Sequence, residues 1–115
     1  MALDRETFNI LLETVERFVA ERLVPLEAQV AAEDQVPADV ITEMKELGLF
    51  GLTIPEEYGG LGLTMTEEIE VAIKLGGTTP AFRSVFGTNI GIGSQGIVMD
   101  GTVEQKAHYL PKLAT

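Results

Sequence analysis

Gly87-Thr88-Asn89-Ile90-Gly91-Ile92-Gly93-Ser94-Gln95-Gly96-Ile97-Val98-Met99-Asp100-Gly101 is the stretch whose reading decides the fold. It is glycine-rich and apolar at once. Within it, Gly91 to Gly96 spells G-x-G-x-x-G, which between a strand and a helix forms a dinucleotide-binding turn; inside a helix, the same glycines leave a backbone that something can approach closely. The surroundings separate the two readings. A dinucleotide turn needs a strand before it, a packing helix after it and an acidic residue roughly 20 positions on. Only Ile97, Val98 and Met99 stand between Gly96 and Asp100-Gly101, and no strand pattern precedes Gly91. The stretch therefore reads as helix. Glycine is ~1 kcal/mol worse than alanine inside a helix, so Gly91, Gly93 and Gly96 need an offset. Close packing of another helix would supply it, and so would a ligand lying against the bared backbone; the residues leave both open.

Working outward, Thr79 caps this helix with Pro80 at its first position. Thr102 and Gln105 form a capping box that opens a final short helix carrying Tyr109 and Leu110 before Pro111. Upstream, Thr64 and Glu67 form another box, opening a helix through Ile69, Ala72 and Ile73 that stops at Gly76-Gly77. Residues 49–63, with Pro55, Gly59, Gly60 and Gly62, read as a long structured loop. Before it, Pro37 suits the first residue of a helix with Val40, Ile41, Met44 and Leu47 on one face, closed by Gly48. From Asp4 to about Ala32, Phe8, Leu11, Leu12, Val15, Phe18, Val19, Leu23, Leu26 and Val30 fall at helical spacing. Pro25 lies inside that pattern and should kink it near Glu21, giving one bent helix or two short ones. The expectation is an all-α fold, an orthogonal bundle of about five to six helices with a Gly/Pro-bearing loop at 49–63, formed by residues 1–115 as one domain.

Composition narrows the function. A chain of 115 residues with 45% hydrophobic content suits one core. Eighteen acids against eight bases give a net charge of −10, which repels a phosphate backbone or an anionic membrane surface. Nucleic acid is thus not an expected partner. There is no cysteine and a single His108, so no metal site is expected. No apolar run reaches the ~20 residues of a bilayer span, and the polar start shows neither signal peptide nor anchor. A cytoplasmic location is expected. Glu56-Glu57 and Glu67-Glu68 read as solvated acids, His108 as a surface helix residue, and Ser84 and Ser94 lack a nucleophile-elbow context. No catalytic residue is assigned.

Three blocks carry a resemblance. Glu46 to Leu63 (ELGLFGLTIPEEYGGLGL), Gly87 to Gly96 (GTNIGIGSQG) and Gly101 to Leu113 (GTVEQKAHYLPKL) closely resemble, in order and spacing, the N-terminal helical domain of the acyl-CoA dehydrogenases. The resemblance implies an all-α domain that packs against a middle β-domain and a C-terminal helical domain, both absent here, in an enzyme that is usually a homo-oligomer. It implies FAD as cofactor of the complete enzyme, held mainly by those other domains, and no cofactor on this chain alone. The reaction implied is α,β-dehydrogenation of an acyl-CoA thioester, with electron-transferring flavoprotein as acceptor and the usual base outside this domain, so that the chain is a fragment inactive by itself. Its implied contribution is part of the wall of the acyl-chain pocket, and by position the substrate-binding residues are Thr88, Asn89, Ile92 and Gly93. A free-standing helical binding module is the other reading. A visible spectrum of the chain, alone and extended, separates the two, since only the enzyme piece should turn yellow on extension.

Overall fold

The structure, a computed structural model, describes residues 3–115. The first rod begins with α1 (Arg5–Phe18), whose N-terminus is capped by Asp4 accepting the Thr7 N–H at 2.7 Å. It does not break at Pro25. The chain widens into a π turn at Val19–Leu23, passes through a 3₁₀ turn at Val24–Leu26 and continues as α2 (Glu27–Glu33). A proline has no N–H to give and its ring crowds the preceding turn; the wider winding, in which the Val24 N–H reaches back to the Val19 carbonyl, absorbs that misfit. The result is one bent rod. It buries Phe8, Val15, Phe18, Val19, Leu23 and Val30, as the apolar stripe foretells.

Helix α3 (Ala38–Glu46) starts one residue later than expected, because Pro37 keeps an extended ψ of 142° and serves as its N-cap. Val40 and Met44 face the core. Arg22 joins the π turn to this helix, its Nε 2.8 Å from Glu43 Oε2 and its Nη2 3.3 Å from Asp39 Oδ2. Gly48, at φ 82°, then turns the chain into residues 49–63. This stretch is a folded layer. Two 3₁₀ turns, Leu49–Gly51 and Glu56–Tyr58, are laced by the N–H groups of Leu61, Gly62 and Leu63 donating to the carbonyls of Gly51, Ile54 and Leu52, each at 2.8 Å. Leu49, Leu52, Ile54 and Leu63 are buried beneath it.

Helix α4 (Met65–Leu75) opens on the complete Thr64/Glu67 capping box. It turns Val71 and Leu75 inward and leaves Met65, Ile69 and Ile73 exposed. Two ion pairs join it to α1, Arg5 with Glu70 and Lys74 with Glu16, each at 3.1 Å. Arg5 holds the Glu70 carboxyl below the usual carboxylate range by hydrogen bonding to it. That depressed value makes the pair's small contribution present above the unfolded pKa and lost as pH falls through the folded one. Helices α5 (Pro80–Thr88) and α6 (Gln95–Asp100) form one rod through a second π turn, Asn89–Gly93. Helix α7 (Val103–Leu113) carries the expected capping box at Thr102 and Gln105. It runs through Pro111 rather than stopping before it, since Leu110, Leu113 and Ala114 pack with Ile54 and Tyr58 and hold the last turn in place.

The Cα atoms fill a slab of 43 × 32 × 19 Å, about two helix diameters thick. Each rod can therefore bury one side and must leave the other bare. The main core lies under α1, α3, α4 and α5, and the smaller Ile54–Leu110–Ala114 cluster lies beside it. The fold is all-α, as expected, and the described residues contain no strand. Among them no helix is long and apolar enough to cross a membrane, and no group of His, Asp and Glu side chains could hold a metal ion.

Candidate functional site

The rod built from α5, the π turn and α6 is fastened on one side and open on the other. Phe82, Phe86 and Ile90 follow one another four residues apart, and all are buried. That spacing fixes which side faces the core. The fastening is completed by polar groups of the 49–63 layer. The Thr53 hydroxyl donates to the Ile90 carbonyl at 2.8 Å and accepts from Gln95 Nε2 at 2.9 Å, while Asn89 Nδ2 donates to the carbonyls of Phe50 and Leu113 at 2.8 and 2.7 Å.

On the other side, Thr88, Ile92, Gly93, Gly96 and Met99 are exposed, Ile92 to 90%. A Cβ added at Gly91 or Gly96 would meet nothing within 4 Å. Among the described residues, the offset that three helical glycines require is thus not supplied by a neighbouring helix. The π winding stacks Gly93 over Thr88, so a Cβ at Gly93 would sit 3.1 Å from the Thr88 carbonyl. Of the four residues singled out from the sequence, the structure brings Thr88, Ile92 and Gly93 onto this open side. Asn89 points the other way, with both amide hydrogens engaged. Gly96 and Met99 lie on the open side as well, four and seven residues after Ile92, a helical spacing already legible in the sequence.

Ile92 and Met99 are the large apolar side chains of this side, and the acids and histidine weighed from the sequence lie elsewhere. Glu56 and Glu57 are exposed, Glu67 is used in its capping box, and His108 lies on the surface with its ring against Tyr109 at 4.7 Å. Ser94 is the one buried polar residue among those described, and its hydroxyl meets no protein partner. Burying an unpaired hydroxyl is unfavourable. Replacing Ser94 by alanine is accordingly expected to leave stability unchanged or raise it by up to about 1 kcal/mol in urea unfolding; a loss of that size would reveal a hydrogen bond that the hydroxyl depends on. The G-x-G-x-x-G residues lie within the helical rod, with no strand before them. They do not form a phosphate-binding turn.

Comparison with known proteins agrees with this picture. The family profile described as "Acyl-CoA dehydrogenase, N-terminal domain" matches residues 5–115. The chain is 35% identical over 111 residues to (2S)-methylsuccinyl-CoA dehydrogenase of Cereibacter sphaeroides, covering 96% of this chain and 20% of that protein. It is 38% identical over 105 residues to the human mitochondrial very long-chain specific acyl-CoA dehydrogenase, covering 91% of this chain and 16% of the relative. The crystal structure of an acyl-CoA dehydrogenase complexed with FAD from Bacillus anthracis superposes with a TM-score of 0.77 at 34% identity, over 97% of this chain and 20% of that one. The chain therefore spans about a fifth or less of the length of these relatives. Matched along nearly its whole length by sequence and by fold, the chain belongs to the acyl-CoA dehydrogenase family, where it corresponds to the N-terminal domain.

Proposed function

We propose that this chain is the N-terminal domain of an FAD-dependent enzyme that dehydrogenates an acyl-CoA thioester between its α and β carbons, and that the open side of the α5–α6 rod forms part of the wall of the acyl-chain pocket. The observation that carries the second half is the bare side itself: Thr88, Ile92, Gly93, Gly96 and Met99 are exposed, and among the described residues nothing lies within 4 Å of a Cβ added at Gly91 or Gly96. An acyl chain needs an apolar wall with room along it, and glycines supply room. Ile92 and Met99, exposed beside these glycines, give that wall its apolar side chains.

The G-x-G-x-x-G stretch is helical, and no charged side chain is buried among the described residues, so that stretch offers no phosphate-binding turn to a flavin. Flavin binding and the proton and hydride transfers belong, in this reading, to the parts of the relatives that this chain does not span. What this chain's residues do is bind and exclude. The wall sets how long an acyl chain can lie along the rod, and it keeps water from that side once covered. Electron-transferring flavoprotein as acceptor and a homo-oligomeric assembly complete the reading, supported by membership of the family.

The experiment places this domain in a full-length dehydrogenase and adds volume to the wall. Gly96 is the better position, since its Cβ meets open space, whereas one at Gly93 would press on the Thr88 carbonyl. Gly96→Leu should shift the preference toward shorter acyl chains, lowering kcat/KM for the longest accepted substrate by about tenfold or more, a cost of ~1.4 kcal/mol. Short substrates should be little affected. An unchanged chain-length profile would remove the open side from the pocket.

A further inference from the structure

Asn89 joins three segments through a single amide group. Its Nδ2 donates at 2.8 Å to the carbonyl of Phe50, in the first 3₁₀ turn of the 49–63 layer, and at 2.7 Å to the carbonyl of Leu113, at the end of α7. Both hydrogens of the amide are therefore used, and neither is left for a ligand. The surroundings are tight. The Phe50 ring lies 6.3 Å from that of Phe86, one turn before Asn89, and a Cβ at Gly51 would sit 3.0 Å from the Ala114 carbonyl. Among the described side-chain hydrogen bonds, the one from Asn89 to Leu113 is alone in linking the rod to α7.

Asn89 is also the first residue of the π turn. A π turn is a rare winding that persists where its surroundings hold it. We propose that Asn89 is a positioning residue, which by gripping the Phe50 and Leu113 carbonyls together holds the π turn in register with the last turn of α7. It thereby sets how Thr88, Ile92 and Gly93 are presented relative to the direction in which α7 ends. The description of that side as an acyl-chain wall rests on the function proposed above; the grip itself does not.

Three properties of the side chain make it suited to the task. It is short, so little rotamer freedom is lost when it is fixed. It is planar, so its two N–H bonds diverge at a set angle toward two acceptors. It is neutral, so burial against two carbonyls carries no charge to desolvate. Aspartate has the same shape and no donor when ionised, and would set a negative charge against two carbonyl oxygens.

Native-state hydrogen exchange followed by NMR on the 115-residue chain tests the assignment. In the unaltered chain, the two side-chain amide protons of Asn89 should exchange at least about tenfold more slowly than those of exposed Gln35, because two net hydrogen bonds of ordinary strength are worth on the order of a tenfold change. Exchange at the Gln35 rate would overturn the grip without any mutation. With Asn89→Ala, the backbone amides of Ile92 to Ser94 and those of Leu113 and Ala114 should speed up together by about tenfold, while those of Val71 and Phe82 keep their protection. Asn89→Asp should loosen the same two segments further at neutral pH. Acidification should partly restore them, after correction for intrinsic exchange, as the protonated carboxyl regains one hydrogen to donate. An equal rise at every amide, a rise in only one of the two segments, or a pH-independent Asn89→Asp would each overturn the proposal. The chain-length profile of Gly96→Leu bears on the wall alone, and these exchange rates bear on the grip alone, so that either can fail without the other.

Discussion

Replacing Gly60 by alanine is expected to destabilise the chain by about 3 kcal/mol or more, on the scale of the severe single substitutions. A Cβ at Gly60 would collide with the Ile54 carbonyl and approach the Gly51 carbonyl to 2.7 Å. Both obstacles are backbone, so neither can step aside by a change of rotamer. Ile54 is fully buried and Gly51 is backed by Ala114. To make room, the layer must separate at the place where Leu61 donates to Gly51 and Gly62 to Ile54, each at 2.8 Å. The loss then spreads to the Ile54–Leu110–Ala114 cluster, which holds α7. A domain of this size is stable by only about 5–15 kcal/mol, so the change is a large share of the total. Urea unfolding checks it, with Gly59→Asn as the control. Gly59 has a positive φ, 92°, which Gly60 does not, but a Cβ there meets only the Ala114 methyl at 3.9 Å, and asparagine tolerates the left-handed region. The control should cost about 1 kcal/mol. Similar losses for the two variants would contradict the close approach at Gly60.

The second large effect is expected at Phe86. Truncation to alanine should cost about 3–5 kcal/mol, the range for emptying an aromatic site in a packed core. Phe86 is 1% exposed and stands on the core-facing side of the glycine-bearing rod, one turn before Asn89, with its ring tilted against Phe50. The loss would come from two sources, the transfer of the ring out of water and the void that its neighbours cannot close. It should also reach the candidate site, because Phe50 supplies one of the two carbonyls that Asn89 holds. Phe86→Leu retains most of the volume and should cost about 1–2 kcal/mol. Thermal unfolding of the pair gives the comparison. If alanine costs no more than leucine, the rod is not seated on Phe86.

The features legible in the sequence are those whose physics is local. Thr64, Thr79 and Thr102 mark helix starts because each hydroxyl accepts an N–H two or three residues on. Nothing distant is needed to form such a bond. The stripe from Phe8 to Val30 was likewise readable, and so was a disturbance one turn before Pro25, since a proline's demands fall on its own preceding turn; whether the helix bends or divides there was left open, and the π turn decides for one bent rod. Pro37 and Pro111 were placed less well: the helix begins just after the first and runs through the second. In the latter case, packing by Ile54 and Tyr58 outweighs the lost bond.

The candidate site was legible in part. Thr88, Ile92 and Gly93, singled out by the glycine pattern together with the resemblance, lie on the open side, and Gly96 and Met99 were within reach of the same spacing argument. The direction of Asn89 was not. Its acceptors are 39 and 24 residues away in sequence, and a polar residue in an apolar helix reads equally well as facing a ligand or facing a carbonyl. Ile69 and Ile73 against Val71 and Leu75 pose the same difficulty on α4, where apolar residues stand on both sides and only the packing of α1 tells which side is buried.

By itself the sequence determined that the chain is helical, where most helices begin, that Gly91 to Gly96 is no nucleotide turn, and to which family the chain belongs, because caps, periodicity and three ordered motifs are properties of neighbours along the chain. Tertiary structure alone decided that no other helix among the described residues packs on those glycines, that Ser94 is buried, and that the Asn89 amide donates to two carbonyls. Each of these depends on which distant segments come to lie beside the rod, and that is fixed only when the whole slab packs.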